Sequence, residues 1–189
     1  MLTLYFSPAS SSTAPHIALH EVGVPFERRL ISLATKENRT PEYLALNPEG
    51  KVPTLLVGGR PLTEVAAILY YLARRYPESR LWPDGDLEAE AQVISWMSFI
   101  SATVQPSRLQ GIERAREVFG IADARVGNRE WVVGIYSIAD IHLFRLYWRF
   151  LSWFHRAPEE FPNLGAHYHR MMARHAVQRT LEIEARLPQ

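Results

Sequence analysis

The chain has 189 residues, 47% hydrophobic and 22% charged, an ordinary globular composition with room for a core in one large domain or two small ones. Lys plus Arg number 21 against 20 for Asp plus Glu, which leaves no positive excess to neutralise phosphates and sets nucleic acid aside as a partner. Cysteine is absent, which excludes disulfides, thiolate metal ligands and any mechanism with a protein thiol as nucleophile.

The first residues, Met1-Leu2-Thr3-Leu4-Tyr5-Phe6-Ser7-Pro8, lack a basic segment followed by a long apolar one, and no later apolar run reaches the length of a membrane span. The expectation is a cytoplasmic protein without a membrane partner. Residues 2–6 read as a short buried strand and Ser7-Pro8 with the following serines as a loop. A helix follows, with Thr13 as N-cap, Pro15 in its first turn, Ile17, Ala18 and Val22 on its apolar face and Gly23 as its stop. Residues 26–31 read as a second strand, so the opening is a βαβ unit with parallel strands and a right-handed crossover.

Thr40-Pro41-Glu42-Tyr43-Leu44 predicts a short capped helix that ends before Asn47-Pro48. Residues 54–57 and 60–62 flank Gly58-Gly59, a hairpin signal, and Thr63 is the expected cap of a helix running to about Arg75. The order βαβ, helix, hairpin, helix is the thioredoxin-like arrangement. Residues 76–85 are rich in breakers, and beyond them only helical periodicity remains: 87–104, 112–119, 138–154, 161–174 and 177–187. The predicted organisation is an α/β thioredoxin-like domain at 1–76, a linker at 77–85 and an all-α domain at 86–189. Ser137 and Asp140 have capping-box spacing, with Tyr136 and Ile141 placed as a hydrophobic staple, and the carboxylate is read as a folding signal rather than a catalytic group.

Four segments in register resemble the glutathione transferases: Ser7-Pro8-Ala9-Ser10-Ser11-Ser12, then Asn47 through Leu55 with its Val52-Pro53 pair, then Leu62-Thr63-Glu64-Val65-Ala66-Ala67-Ile68, and Gly134 through Asp140. The resemblance implies glutathione as co-substrate, with no metal, and attack of its thiolate on an electrophilic small molecule. In that family the proline of the Val-Pro pair is cis, and the preceding backbone pairs with the cysteinyl part of glutathione, which names Val52 and Pro53. Glu64 and Val65 stand where a helix start receives the γ-glutamyl carboxylate. The family usually has serine where Val65 stands, so one hydroxyl contact is lost. Lys51 is carried over as a partner of the glycine carboxylate, with a solvated surface lysine as the other reading.

A free thiol has a pKa of about 8.5, and lowering it by two units takes about 2.7 kcal/mol, within reach of one hydroxyl donor and a helix N-terminus together. The segment from Pro8 to Leu19 is most similar to the bacterial beta class, with Ser11 at the position of the class cysteine, which excludes mixed-disulfide chemistry and leaves a hydroxyl-assisted transferase. Ser11 ranks first as the activating group. Ser10 ranks second by similarity to the theta and delta classes, and Tyr5 third by similarity to the tyrosine classes. The other reading of these serines is that they only satisfy loop and helix amides.

The acceptor pocket is expected between the domains, with Trp96, Phe99 and Gln105 as candidates, Gln105 standing where beta-class relatives often carry histidine. A Trp and Phe stripe at helical spacing is otherwise core. The stretch 106–131 is shorter than in the family and removes helix that shapes that pocket. His16 and His20 share a helical face, but no third metal ligand has suitable spacing. The resemblance further implies detoxification and a homodimer. Two alternatives stand beside the transferase: a non-catalytic relative that keeps the fold and binds glutathione poorly, and a glutathione-dependent isomerase of the zeta kind.

Overall fold

The computed structural model describes residues 1–187. Its first compact unit comprises Met1–Tyr76 and the C-terminal helix from His175, and its second is Pro77–Arg174.

In the first unit, β1 (Leu2–Phe6), α1 (Thr13–Val22) and β2 (Phe26–Leu30) form the βαβ element, followed by α2 (Pro41–Leu46), β3 (Thr54–Val57), β4 (Arg60–Thr63) and α3 (Val65–Arg75). The sheet order is β2-β1-β3-β4, with β1 parallel to β2 and the other two pairings antiparallel. This is the thioredoxin-like arrangement the sequence predicts. The central strand β1 carries Leu2, Leu4 and Phe6 into the core, while β2 lies on an edge and exposes Glu27, Arg28 and Arg29. Gly23 ends α1 in the left-handed conformation, its N–H donating to the Leu19 carbonyl. Thr40 caps α2 by accepting from the Tyr43 N–H at 3.3 Å.

Two local expectations change. Thr13 is the first residue of α1 rather than its cap; the cap position is Ser12, whose hydroxyl is turned back to Ser7. Thr63 remains paired in β4, and the residue that caps α3 is Glu64, held at φ +68° with no side-chain cap bond.

The second unit is helical. Its elements are α4 (Leu87–Phe99), a π turn at Ile100–Val104, the short α5 (Gln105–Ser107), α6 (Ile112–Val126), α7 (Ile138–Phe154) and α8 (Pro162–Met172). The helix expected over 112–119 runs two turns further, and the one expected over 87–104 loses its α-type hydrogen bonding after Phe99. Asp86 caps α4, and α7 starts with the predicted capping box of Ser137 and Asp140. Asp140 is fully buried and accepts from the Ser137 and Val132 N–H groups at 2.9 Å each, and its Oδ1 lies 3.0 Å from His167 Nε2. It fastens α7 to the preceding loop and to α8.

The last helix, α9 (His175–Ala185), packs against α1. The sequence groups it with the helical domain over 86–189; the packing places it with the first unit, and positions 188–189 of that range lie outside the described residues. The physical reason is Glu184, a buried carboxylate on α9 whose hydrogen-bond donors are all in the first loop and α1. Among the described residues no helix is long and apolar enough to cross a membrane.

Candidate active site

Strand register brings three of the four resembling segments to one end of the sheet. Tyr5 pairs with Thr54, and Thr54 with Thr63. One step further along each strand stand the exit of β1 into Ser7, the entry of β3 from Val52-Pro53, and the exit of β4 into Glu64-Val65. Side chains far apart in sequence therefore meet at one rim.

The loop after β1 is fastened from two sides. Ser12 is fully buried; its hydroxyl accepts from the Ser7 N–H at 3.0 Å, lies 2.9 Å from the Ser7 carbonyl oxygen and 2.7 Å from the Ser10 hydroxyl. Ser10 Oγ is also 2.7 Å from the Ser7 carbonyl and accepts from the Ser12 N–H. Each hydroxyl has one proton, and both protons are used inside this cluster. The Ser11 side chain is half-buried, precedes α1 by two positions, and has no hydrogen-bond partner among the described residues. The Tyr5 phenol likewise has none, and its ring lies against Tyr43 at 5.8 Å between centroids.

From the other side comes Glu184, only 3% exposed. One carboxylate oxygen accepts from the Ala9 N–H at 2.9 Å and from the Thr13 hydroxyl at 2.8 Å, and the other lies 2.9 Å from His16 Nδ1. Ala9 sits at φ +53°, a left-handed conformation disfavoured for a residue with a Cβ, and the Glu184 bond to its N–H holds it there. Neither Glu184 nor Thr13 stands among the site residues the sequence suggests, and His16 enters there only in a metal reading that lacks a third ligand. A signal existed: Ala176, Val177, Thr180 and Glu184 are the buried positions of α9, so a glutamate lies on its apolar face. His16 is thereby accounted for without a metal, and among the described residues no group of three or more His, Cys, Asp or Glu is placed to hold one.

The Val52–Pro53 peptide is cis. Its position is fixed by the preceding carbonyl: Lys51 C=O accepts from the Tyr43 hydroxyl at 2.7 Å and from Asn47 Nδ2 at 2.8 Å. Burial, followed by the opposing effect of its bond with Thr54, leaves the Tyr43 phenol with a raised pKa, so it remains a donor. Gly50 turns the chain into this segment at φ +60°, where an added Cβ would fall 2.7 Å from both Arg39 Nη1 and the Asn38 carbonyl oxygen. Neither the N–H nor the C=O of Val52 finds a partner among the described residues. The Lys51 ammonium is largely exposed and 2.6 Å from Glu49, whose carboxylate raises its pKa.

At the start of α3, Glu64 is exposed and Val65 is buried, at 7% exposure. The first N–H groups of α3 have no side-chain cap, which leaves the positive end of this helix open to an anion.

The acceptor candidates belong to the second unit. Trp96 is 1% exposed, with the Arg125 guanidinium 4.2 Å from its ring centroid and Phe99 at 5.9 Å. It has no open face for a ligand, a correction to its assignment as pocket wall. Phe99 is half-buried under the same guanidinium, and Gln105 Oε1 accepts from Arg145 Nη2 at 2.7 Å. Arg145 is 3% exposed, and burial first, then Arg108 and Arg149, lower its pKa to about 9. Gln105 supplies an acceptor that this buried cation needs.

A thioredoxin-like α/β unit with this rim, continued by a helical unit, defines a class, and comparison with known proteins agrees with it. Residues 1–74 match the family described as glutathione S-transferase, N-terminal domain, and residues 86–175 match glutathione S-transferase, C-terminal domain. The chain belongs to the glutathione S-transferase family. It is 31% identical to glutathione S-transferase GST-4.5 of Xanthomonas campestris pv. campestris, with 97% of this chain and 98% of that one aligned. Among solved structures it is similar to a glutathione transferase homologue from Sulfitobacter with bound glutathione, at 30% identity and a TM-score of 0.89 over 99% of both chains. It is also similar to a beta class glutathione S-transferase from Sphingomonas chungbukensis, at 32% identity and a TM-score of 0.86 over 98% of this chain and 100% of that one.

Proposed function

We propose that the protein is a glutathione S-transferase that joins the glutathione thiolate to an electrophilic small molecule, with the Ser11 hydroxyl stabilising the thiolate. The observation that supports this reading is the strand register, which brings the loop after β1, the unpartnered backbone of Val52 and the uncapped head of α3 to one end of the sheet. Val52 offers one donor and one acceptor to the cysteinyl unit of the tripeptide, as a strand edge does. The free amides at Val65 receive the γ-glutamyl carboxylate, and Lys51 turns from Glu49 to the glycine carboxylate.

In this reading the thiol loses its proton to solvent, and the anion accepts a hydrogen bond from Ser11. The sulfur then attacks the electrophilic carbon; a C–S bond forms as the leaving group departs with its electron pair. Ser11 is favoured over Ser10 because its proton is uncommitted, whereas those of Ser10 and Ser12 are used within the loop. Tyr5 is the remaining alternative, its phenol also being uncommitted. A non-catalytic role is favoured by one observation, a valine at position 65 where the family usually has a serine. A homodimer acting in the cytoplasm is the expected setting.

Calorimetric titration of reduced glutathione, run beside conjugation of chlorodinitrobenzene, tests the proposal. We expect binding and turnover in the wild type, and a kcat/KM lowered roughly ten- to a hundredfold in Ser11→Ala with glutathione affinity little changed. Ser10→Ala and Tyr5→Phe should retain most of the rate. A wild-type rate in Ser11→Ala would sink the hydroxyl assignment, and a wild type that neither binds millimolar glutathione nor turns over would sink the transferase.

A further inference from the structure

On the first unit lies a second cleft, of about 390 Å³, that the transferase chemistry does not use. It opens where the end of α1, the edge strand β2 and the first turn of α9 meet. Its walls include His20, Arg28, His175 and Arg179, with Phe26 and Ile183 as apolar floor, and among the described residues no carboxylate lines it. Two arginines and two histidines from three elements thus surround one cleft in a chain whose formal charge, histidines counted neutral, is only +1.

The neighbouring acids are spent elsewhere. Glu184 is held by Ala9, Thr13 and His16; Glu182 pairs with Arg186; and Glu27 lies 3.5 Å from Arg29. Among the described residues neither Arg28 nor Arg179 has a carboxylate partner, and His20 Nε2 is buried with no hydrogen bond. His20 records the resulting field. Burial first, then electrostatic interaction with His16 on α1, Arg179 on α9, Arg28 on β2 and His175 on α9, lower its pKa to about 4. The cleft also receives the N-terminal end of α9, whose partial charge has the same sign.

We infer that this cleft binds a small tetrahedral dianion, a phosphate or sulfate group, either free or carried on a small molecule. Arg28 and Arg179 grip its oxygens from β2 and α9, and His20 closes the inner side as a donor. The site is separate from the rim that holds Ser11, Val52 and Val65, so it does not depend on the transferase reading.

The test is calorimetric titration of inorganic sulfate, inorganic phosphate and a phosphate monoester into the full chain at low salt, with His20 followed by NMR. Saturable one-to-one binding is expected. Arg28→Gln and Arg179→Gln should each weaken it by roughly tenfold or more, while Arg60→Gln, an exposed hairpin arginine outside the cleft, leaves it unchanged. Sulfate keeps its charge across the relevant range, so it should raise the His20 pKa and bind more tightly as pH falls. Tighter binding of the monoester than of phosphate would assign the group to a carrier, and equal binding to the free ion; both support the site. No saturation at concentrations on the order of 10 mM, equal weakening by Arg60→Gln, displacement by glutathione, or a His20 signal that does not move would overturn it.

Discussion

A side chain at the start of a helix decides whether an incoming carboxylate finds one donor or two. At Val65 the amide N–H is available, but the isopropyl group carries no hydroxyl, and the second donor is missing. Val65→Ser should restore it, and a hydrogen bond to a charged group is worth about 1.5–3 kcal/mol, so glutathione should bind roughly tenfold more tightly or better in a calorimetric titration. An unchanged affinity would mean that this helix start does not receive the tripeptide. The neighbouring Glu64 illustrates what a sequence does not disclose. Thr63 has the better capping chemistry, yet tertiary pairing keeps it in β4 and forces Glu64 to φ +68°. Local propensity opposes that conformation, so only the closed sheet reveals it. The serines were legible as a cluster, but which hydroxyl is uncommitted depends on the fold of the loop around Ser7.

At the scale of the element, α9 acts as a clamp on the first loop. Replacing Glu184 by alanine leaves a backbone N–H, a hydroxyl and an imidazole without their common acceptor in a buried setting. The expected cost is about 3 kcal/mol or more, read as a lower urea midpoint, together with a fall in conjugation rate as Ala9 relaxes from its left-handed conformation. Glu184→Gln, which keeps an acceptor oxygen, should recover part of both. Elements with strong punctuation were readable from sequence: β1, α2 with its threonine cap, the Gly58-Gly59 hairpin and the start of α7 at its capping box. The attachment of α9 was not, because amphipathic periodicity says that a helix has a buried face and not which surface covers it. Similarly, the aromatic spacing that made Trp96 a pocket candidate describes a core position equally well.

Across the whole molecule, histidines with depressed pKa values set an acid limit on stability. His142 is 1% exposed, neither ring nitrogen has a hydrogen bond, and burial, reinforced by Arg145, holds its pKa well below the ordinary value of 6.5. His20 is lowered to about 4. Below pH 6.5 the unfolded chain takes up protons at these sites that the folded chain refuses, so stability is complete above that value and declines as pH falls through the window beneath it. The fully buried His142 alone contributes a slope of up to about 1.4 kcal/mol per pH unit. Urea unfolding between pH 7.5 and 5 should therefore show a falling midpoint, and His142→Leu should flatten the fall; an identical slope in the variant would remove His142 as its cause. The grouping of α9 with the first unit also bears on the order of events at the ribosome. A nascent chain that has emerged as far as Tyr76 holds all four strands but lacks the acceptor for Ala9, Thr13 and His16. Pro77–Arg174 must be synthesised before Glu184 arrives. The loop bearing Ser11 thus takes its final form only after the helical unit has been translated.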